Sequence, residues 1–105
     1  MAPVGSPRSR MDPVRFLRVA KALADRRRFE MLEAIAAVAE LPCQRLRELF
    51  PVTQATVSHH LKELTTAGLV EQRRAGQFVY YRANRAALAH YTAELERRLA
   101  RGDRR

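Results

Sequence analysis

Residues 53–68 read TQATVSHHLKELTTAG, and that stretch holds both ends of a helix and two unlike faces. Thr53 is a good N-cap, with Thr56 three residues further on. Gly68 is a natural terminator, because the residue after a helix commonly turns left-handed. Between them Val57, Leu61 and Leu64 fall at i, i+4 and i+7 and make one narrow apolar stripe. The opposite face presents Ala55, His59, Lys62 and Thr66, with Thr56 and Ser58 on the flanks and Gln54 in the first turn. A helix made only for solvent would carry Glu and Lys there. Short hydroxyls, Gln and His with little bulk suit the base edges of a DNA major groove.

Upstream, Phe50, Pro51 and Val52 form a short turn, and residues 42–49 before it read as a brief helix with Leu46, Leu49 and Phe50 on one side. Two helices joined by so short a turn are a helix-turn-helix unit. Asp25 can cap an earlier helix, about 26–38, with Phe29, Leu32, Ile35 and Ala36 inward. Its first turn holds Arg26, Arg27 and Arg28, against the helix dipole; phosphate binding and an internal ion pair explain this equally well. Asp12-Pro13 starts the first helix, which runs to about Ala24 and is apolar on more than one face. Val14, Leu17 and Ala20 lie with Phe16, Val19 and Leu23, which predicts contact with both the chain's own core and a second subunit.

Downstream, residues 69–74 (LVEQRR) and 77–83 (QFVYYRA) are β-rich and are separated by Ala75-Gly76. A hairpin directly behind such a helix reads as a wing. Arg73, Arg74 and Gln77 gather near its tip, where they could straddle phosphates or enter a minor groove. The competing reading is a hairpin that completes the core with its arginines solvated. Asn84 caps a last helix, about 85–100, whose Leu88, Tyr91, Leu95 and Leu99 form a seam at three- and four-residue spacing. That seam, with Phe16, Leu17 and Ala20 of the first helix, is the expected dimer interface. The domain is placed at 12–100, between tails at 1–11 and 101–105; Met1 and Met11 are both candidate starts.

A chain of 105 residues is one domain with a modest core, which self-association would help. The formal charge of +9 points to an anionic partner, with a well-solvated surface as the plainer alternative. Only Lys21 and Lys62 are lysines, so the charge is almost all arginine, suited to bidentate phosphate or guanine contacts. The single cysteine, Cys43, excludes an internal disulfide or a multi-cysteine metal cluster and fits a reducing compartment. No apolar run approaches the ~18 residues of a membrane span, and no hydrophobic leader segment follows Pro3, Gly5 and Pro7. A cytoplasmic, nucleoid-associated protein with no membrane partner is expected. Catalysis has little support: His59 and His60 project about 100° apart on a helix, and neither a nucleophile–base spacing nor a Gly-rich phosphate loop occurs. No catalytic residue and no cofactor is assigned.

The order α-α-α-α-β-β-α, with LADRRRFEML in the second helix, TQATVSHHLKELTTAGLV at recognition and GQFVYYRA in the wing, resembles the ArsR/SmtB family of bacterial winged-helix repressors. The resemblance spans about residues 14–99, and TVSHHLKEL followed by AGLV is its most specific piece. It implies a mainly α winged helix-turn-helix homodimer, joined through the first and last helices, reading a near-palindromic operator in double-stranded DNA. Position by position it implies Gln54, Thr56, Ser58 and His59 in the groove, and Lys62 with Arg73 and Arg74 on the backbone. Thr53 would add a phosphate contact to its cap, and Ala55 lies on the same face. His60, on the core flank, is expected to pack.

The family's metal chemistry is where the sequence departs. Arsenic and cadmium/lead sensors carry Cys-x-Cys-Asp before the recognition helix; the matching positions here hold Pro42, Gln44 and Arg45, with Cys43 between. A soft-metal site needs two or three thiolates. Zinc sensors use ligands on the last helix, where this chain has Arg85, Ala87, Arg98 and Arg101. His90 and Glu94, at i and i+4, would give only two ligands per chain. No metal site is expected, and no inducer can be named. Cys43 remains, either as a small buried filler or, beside Arg45 and Arg47 at a helix start, as a thiol switch. The expected function is a dimeric repressor without metal response; the alternatives are the same repressor with a switch at Cys43, or a protein-binding module on the same scaffold. The absence of large apolar residues on the exposed recognition face argues against the last.

Overall fold

A computed structural model describes residues 11–100; the tail residues 1–10 and 101–105 lie outside the described part, and with them the tail assignments and the Arg101 position. Five helices and three short strands follow one another as α1 (Pro13–Leu23), α2 (Arg26–Ala36), β1 (Leu41–Pro42), α3 (Cys43–Leu49), α4 (Gln54–Thr66), β2 (Val70–Ala75), β3 (Phe78–Ala83) and α5 (Arg85–Ala100).

The expected caps form. Asp12 accepts from the Arg15 N–H, Asp25 from Arg28, Thr53 from Thr56 and Asn84 from Ala87. At the far end of α4 the Leu69 N–H reaches the Leu64 carbonyl at 3.0 Å and the Gly68 N–H reaches Thr65 at 2.9 Å, a Schellman closure. Gly68 adopts φ +79, and a Cβ there would fall 2.4 Å from an Arg15 guanidinium nitrogen. The left-handed backbone is what favours glycine here, since the flexible Arg15 side chain can move aside. Leu64 and Leu69, which that closure brings together, are fully buried.

Val57, Leu61 and Leu64 bury the back of α4 as the spacing predicts, against Phe16, Val19, Met31 and Ile35 from α1 and α2. Two expected core positions differ. Phe29 is 43% exposed, and Met31, two residues on, is fully buried in its place. Leu49 is also exposed, leaving Leu46 as the buried residue of α3. In both cases the helix is rotated so that its more central apolar residue meets the core. Met11, assigned to the tail, is buried in the same cluster.

The hairpin is part of a three-stranded antiparallel sheet in the order β1-β3-β2, with Leu41 opposite Tyr81 and Gln72 opposite Tyr81 on the other side. β1 escapes sequence reading because it is two residues long and ends in proline. Proline is tolerated there because β1 is an edge strand. Pro42 is consequently the N-cap of α3 and Cys43 its first helical residue, one position later than expected. Gly76, at φ +64, opens the two-residue turn between β2 and β3.

Candidate nucleic-acid interface

The face of α4 turned from the core carries Gln54, Ala55, Ser58, His59, Lys62 and Thr66, all exposed, with Thr56 half-buried beside them. Among the described residues, Gln54, Ser58, His59 and Lys62 make no side-chain hydrogen bond or ion pair. Their donors and acceptors are open to a partner. Thr53 differs: its Oγ1 accepts from the Thr56 backbone N–H at 3.1 Å and donates to Thr56 Oγ1 at 2.9 Å. Its hydroxyl proton is therefore engaged, and a phosphate would have to displace Thr56 to use it. His60 packs as expected, 8% exposed against the α1–α2 corner.

The wing divides by strand alternation. Arg74 falls on the face of β2 shared with Gln72, whose amide donates to the buried Tyr81 hydroxyl, and is exposed. Burial pushes the Tyr81 phenol up from its ordinary range. Arg73 falls on the opposite face, where Nε and Nη2 donate to the two Glu40 carboxylate oxygens at 2.7 and 2.8 Å. Its guanidinium also lies 4.6 Å from the Tyr80 ring centroid. The hydrogen bond from Arg73 holds the Glu40 carboxyl below the usual carboxylate range. Arg73, expected to be a phosphate contact, is bound within the chain. No local signal marks that pairing, because Glu40 lies 33 positions away. Gln77 is exposed at the turn.

The Arg26–Arg28 cluster likewise resolves to internal partners. Arg26 and Arg27 reach Glu30 at 3.4 Å, and Arg28 joins Asp25, the Ala22 carbonyl and His60. Cys43 is half-buried, with Arg47 Nη1 3.5 Å from its sulfur. It lines a cleft of about 280 Å3 between α4 and the wing, with Ser58, Lys62, Gln72 and Tyr81.

The expected dimer residues split in two. Phe16 is buried within the chain, its ring 5.2 Å from that of Tyr91 and 4.2 Å beneath the Arg98 guanidinium. Ala20, Leu88, Tyr91 and Leu95 are half-buried. Leu17 and Leu99 are 63% and 75% exposed, with Val14 beside them in the same state. Glu94, the acid of the possible two-ligand metal pair, is 2% exposed and takes hydrogen bonds from Arg97 and Arg98 at 2.6 and 2.8 Å. Those bonds, Arg97's first, lower its carboxyl to about 2. Two guanidiniums occupy the oxygens a cation would need. His90 is exposed.

A helix-turn-helix with its second helix polar and open outward, followed by a hairpin wing, defines a winged helix-turn-helix protein. A helix-turn-helix domain family matches residues 23–73. The chain is similar to an ArsR-like transcriptional regulator from Rhodococcus, with 33% identity and a TM-score of 0.79 over 87% of this chain and 85% of that one. A homodimeric winged helix-turn-helix DNA-binding domain from Mycobacterium bovis, itself a possible ArsR-family regulator, matches with 31% identity and a TM-score of 0.64 over 77% and 76% of the two chains. The arsenic resistance transcriptional regulator of Pseudomonas putida is 42% identical over 64 residues, 61% of this chain and 50% of that protein. The chain thus spans about half the length of that curated relative. It belongs to the ArsR family of winged-helix transcriptional regulators.

Proposed function

We propose that the chain is a sequence-specific, dimeric DNA-binding repressor that acts in the cytoplasm on a near-palindromic operator, through one domain over residues 12–100. The observation that carries this reading is the outer face of α4, a row of small polar side chains with unused hydrogen-bonding capacity on a helix seated from behind by Val57, Leu61 and Leu64. Gln54, Thr56, Ser58 and His59 read base edges, with Ala55 leaving room for them. Lys62, Arg74 and Gln77 hold the backbone; Thr53 contributes by exchanging an internal bond for a phosphate, and Arg73 through the N–H groups that Glu40 leaves unused. Exposed Val14, Leu17 and Leu99 cover one another's counterparts in a second copy, consistent with the homodimeric relative. Duplex selection from a random pool, with the protein's sedimentation measured alongside, tests the reading. A monomer at micromolar concentration, or equal retention of selected and scrambled duplexes, would overturn it.

The repressor does not respond to metal. The similarity to an arsenic resistance regulator favours the opposite, but Pro42, Gln44 and Arg45 stand where thiolates and a carboxylate would be needed, and Glu94 is held by two arginines. Release of the selected duplex by micromolar arsenite, cadmium or zinc would refute this. A second reading, a thiol switch, draws on the Arg47 contact to Cys43 and on the cleft that joins this thiol to α4. Loss of duplex binding on treatment with hydrogen peroxide, abolished in Cys43→Ser, would establish it.

A further inference from the structure

Among the described residues, Arg28 makes the side-chain polar contact from the α1–α2 corner to α4. Arg28 sits in the first turn of α2, where its backbone N–H donates to Asp25 Oδ1 at 2.9 Å. Its Nε donates to the Ala22 carbonyl in the last turn of α1 at 3.0 Å, and its Nη1 lies 3.3 Å from His60 Nδ1. A guanidinium only donates, so a hydrogen bond here requires Nδ1 as the acceptor, in a neutral ring with its proton on Nε2. Arg28 therefore ties α1, α2 and α4 together at a single point.

Val57, Leu61 and Leu64 seat α4 on the core along one apolar stripe. The Arg28–His60 contact adds a directional constraint to that seat, one residue from His59 on the exposed face. The groups facing His60 are Asp25, Arg27 and Arg28 from the corner and His59 from its own helix. Burial holds the imidazole below its ordinary 6.5; Asp25 opposes this and the neighbouring cations add to it. A proton on Nδ1 would turn the acceptor into a donor and set two cations against each other.

We propose that His60 is a positioning residue for DNA recognition: as a neutral acceptor for Arg28 it sharpens the seat that the apolar stripe gives α4, and protonation of the ring loosens it. The proposal rests on the reading of α4 as the DNA-reading helix. The residue's own contact with DNA is no part of it.

The test uses the full chain and the duplex selected at about pH 7.5, compared with a scrambled duplex at about pH 7.5 and about pH 5.5, at constant salt. His60→Asn places Oδ1 near the Nδ1 position as an acceptor that takes no proton. From the higher to the lower pH the wild-type ratio of affinities should fall roughly tenfold more than that of the Asn variant. His59 and His90 are present in both proteins, so the difference isolates His60. Equal falls in the two proteins, or no fall in either, would overturn the proposal. Nitrogen-15 NMR of the wild-type imidazoles decides independently should the variant not fold. An Nε2–H tautomer at the higher pH supports the joint, and an Nδ1–H tautomer sinks it. Absence of any duplex preference at the higher pH would refute the DNA reading alone, leaving the NMR result to judge the joint.

Discussion

The recognition helix and the wing face the same partner in the proposed complex, yet their polar side chains are in opposite states. On α4, Gln54, Ser58, His59 and Lys62 have no intramolecular hydrogen bond or ion pair among the described residues. On the wing, Arg73 is clamped by Glu40 and stacked on Tyr80, and Arg82 is paired with Glu71 at 3.0 Å. Arg74 and Gln77 keep their donors free. Charge marks a surface as suited to an anion, but only unspent hydrogen-bonding capacity marks which side chains are available to it. A paired arginine keeps spare N–H groups, but its charge is already matched, so it offers an anion less than an unpaired one does.

The largest effect should come from removing what holds the open face in place. Leu64→Ala should destabilise the chain by about 2–5 kcal/mol, the range for emptying a fully buried leucine site. Urea unfolding measures it. A loss under about 1 kcal/mol would mean that the apolar stripe is not what seats α4. Next come the open residues themselves. Ser58→Ala and His59→Ala should leave unfolding midpoints unchanged and each reduce discrimination between selected and scrambled duplexes by about 1–3 kcal/mol. Uniform weakening on both duplexes would place these residues on the backbone instead.

The wing offers a finer contrast. Arg74→Ala should make the logarithmic salt dependence of duplex binding shallower by about 0.9 for each phosphate that Arg74 neutralises. Arg73→Ala should change that slope less, because its charge is already matched by Glu40. Glu40→Ala should free Arg73 and steepen the slope by up to about 0.9 per protomer. Matching slopes for the Arg73 and Arg74 variants would show that the internal clamp gives way at no cost when DNA binds.

Much of this was legible in the sequence because it depends on local signals. Thr53, Asn84, Gly68 and the spacing of Val57, Leu61 and Leu64 fix caps, a terminator and a buried face within a few residues of one another, and each forms as expected. What stayed hidden depends on distant partners. Glu40 and Arg73 are 33 positions apart, and Arg28 and His60 are 32 apart. No periodicity joins such pairs. β1 was missed for a different reason: its two residues become a strand only because β3 supplies an edge to pair with. The rotation that buries Met31 and exposes Phe29 is set by the neighbouring helices, since both residues fit an apolar face of α2.

Glu94 is the extreme case of a polar group whose capacity is spent within the chain, and it gives the smallest and most specific prediction. Its carboxylate takes hydrogen bonds from Arg97 and Arg98, which lower it from 4.5 to about 2. The folded value lies below the unfolded one, so the unfolded chain binds the proton first as acid is added. The stabilisation is complete above 4.5 and is lost as pH falls from there towards about 2. Glu94→Gln should therefore lower the melting temperature at neutral pH, and the gap from wild type should close across that acid window. His60 works in a separate range, since its neutral form stabilises the fold above 6.5 and that contribution is lost as pH falls below it. His60 is present in both proteins, so its contribution cancels from the gap and the acid window belongs to Glu94 alone. A gap that never closes would show that Glu94 contributes through shape and not through its charge.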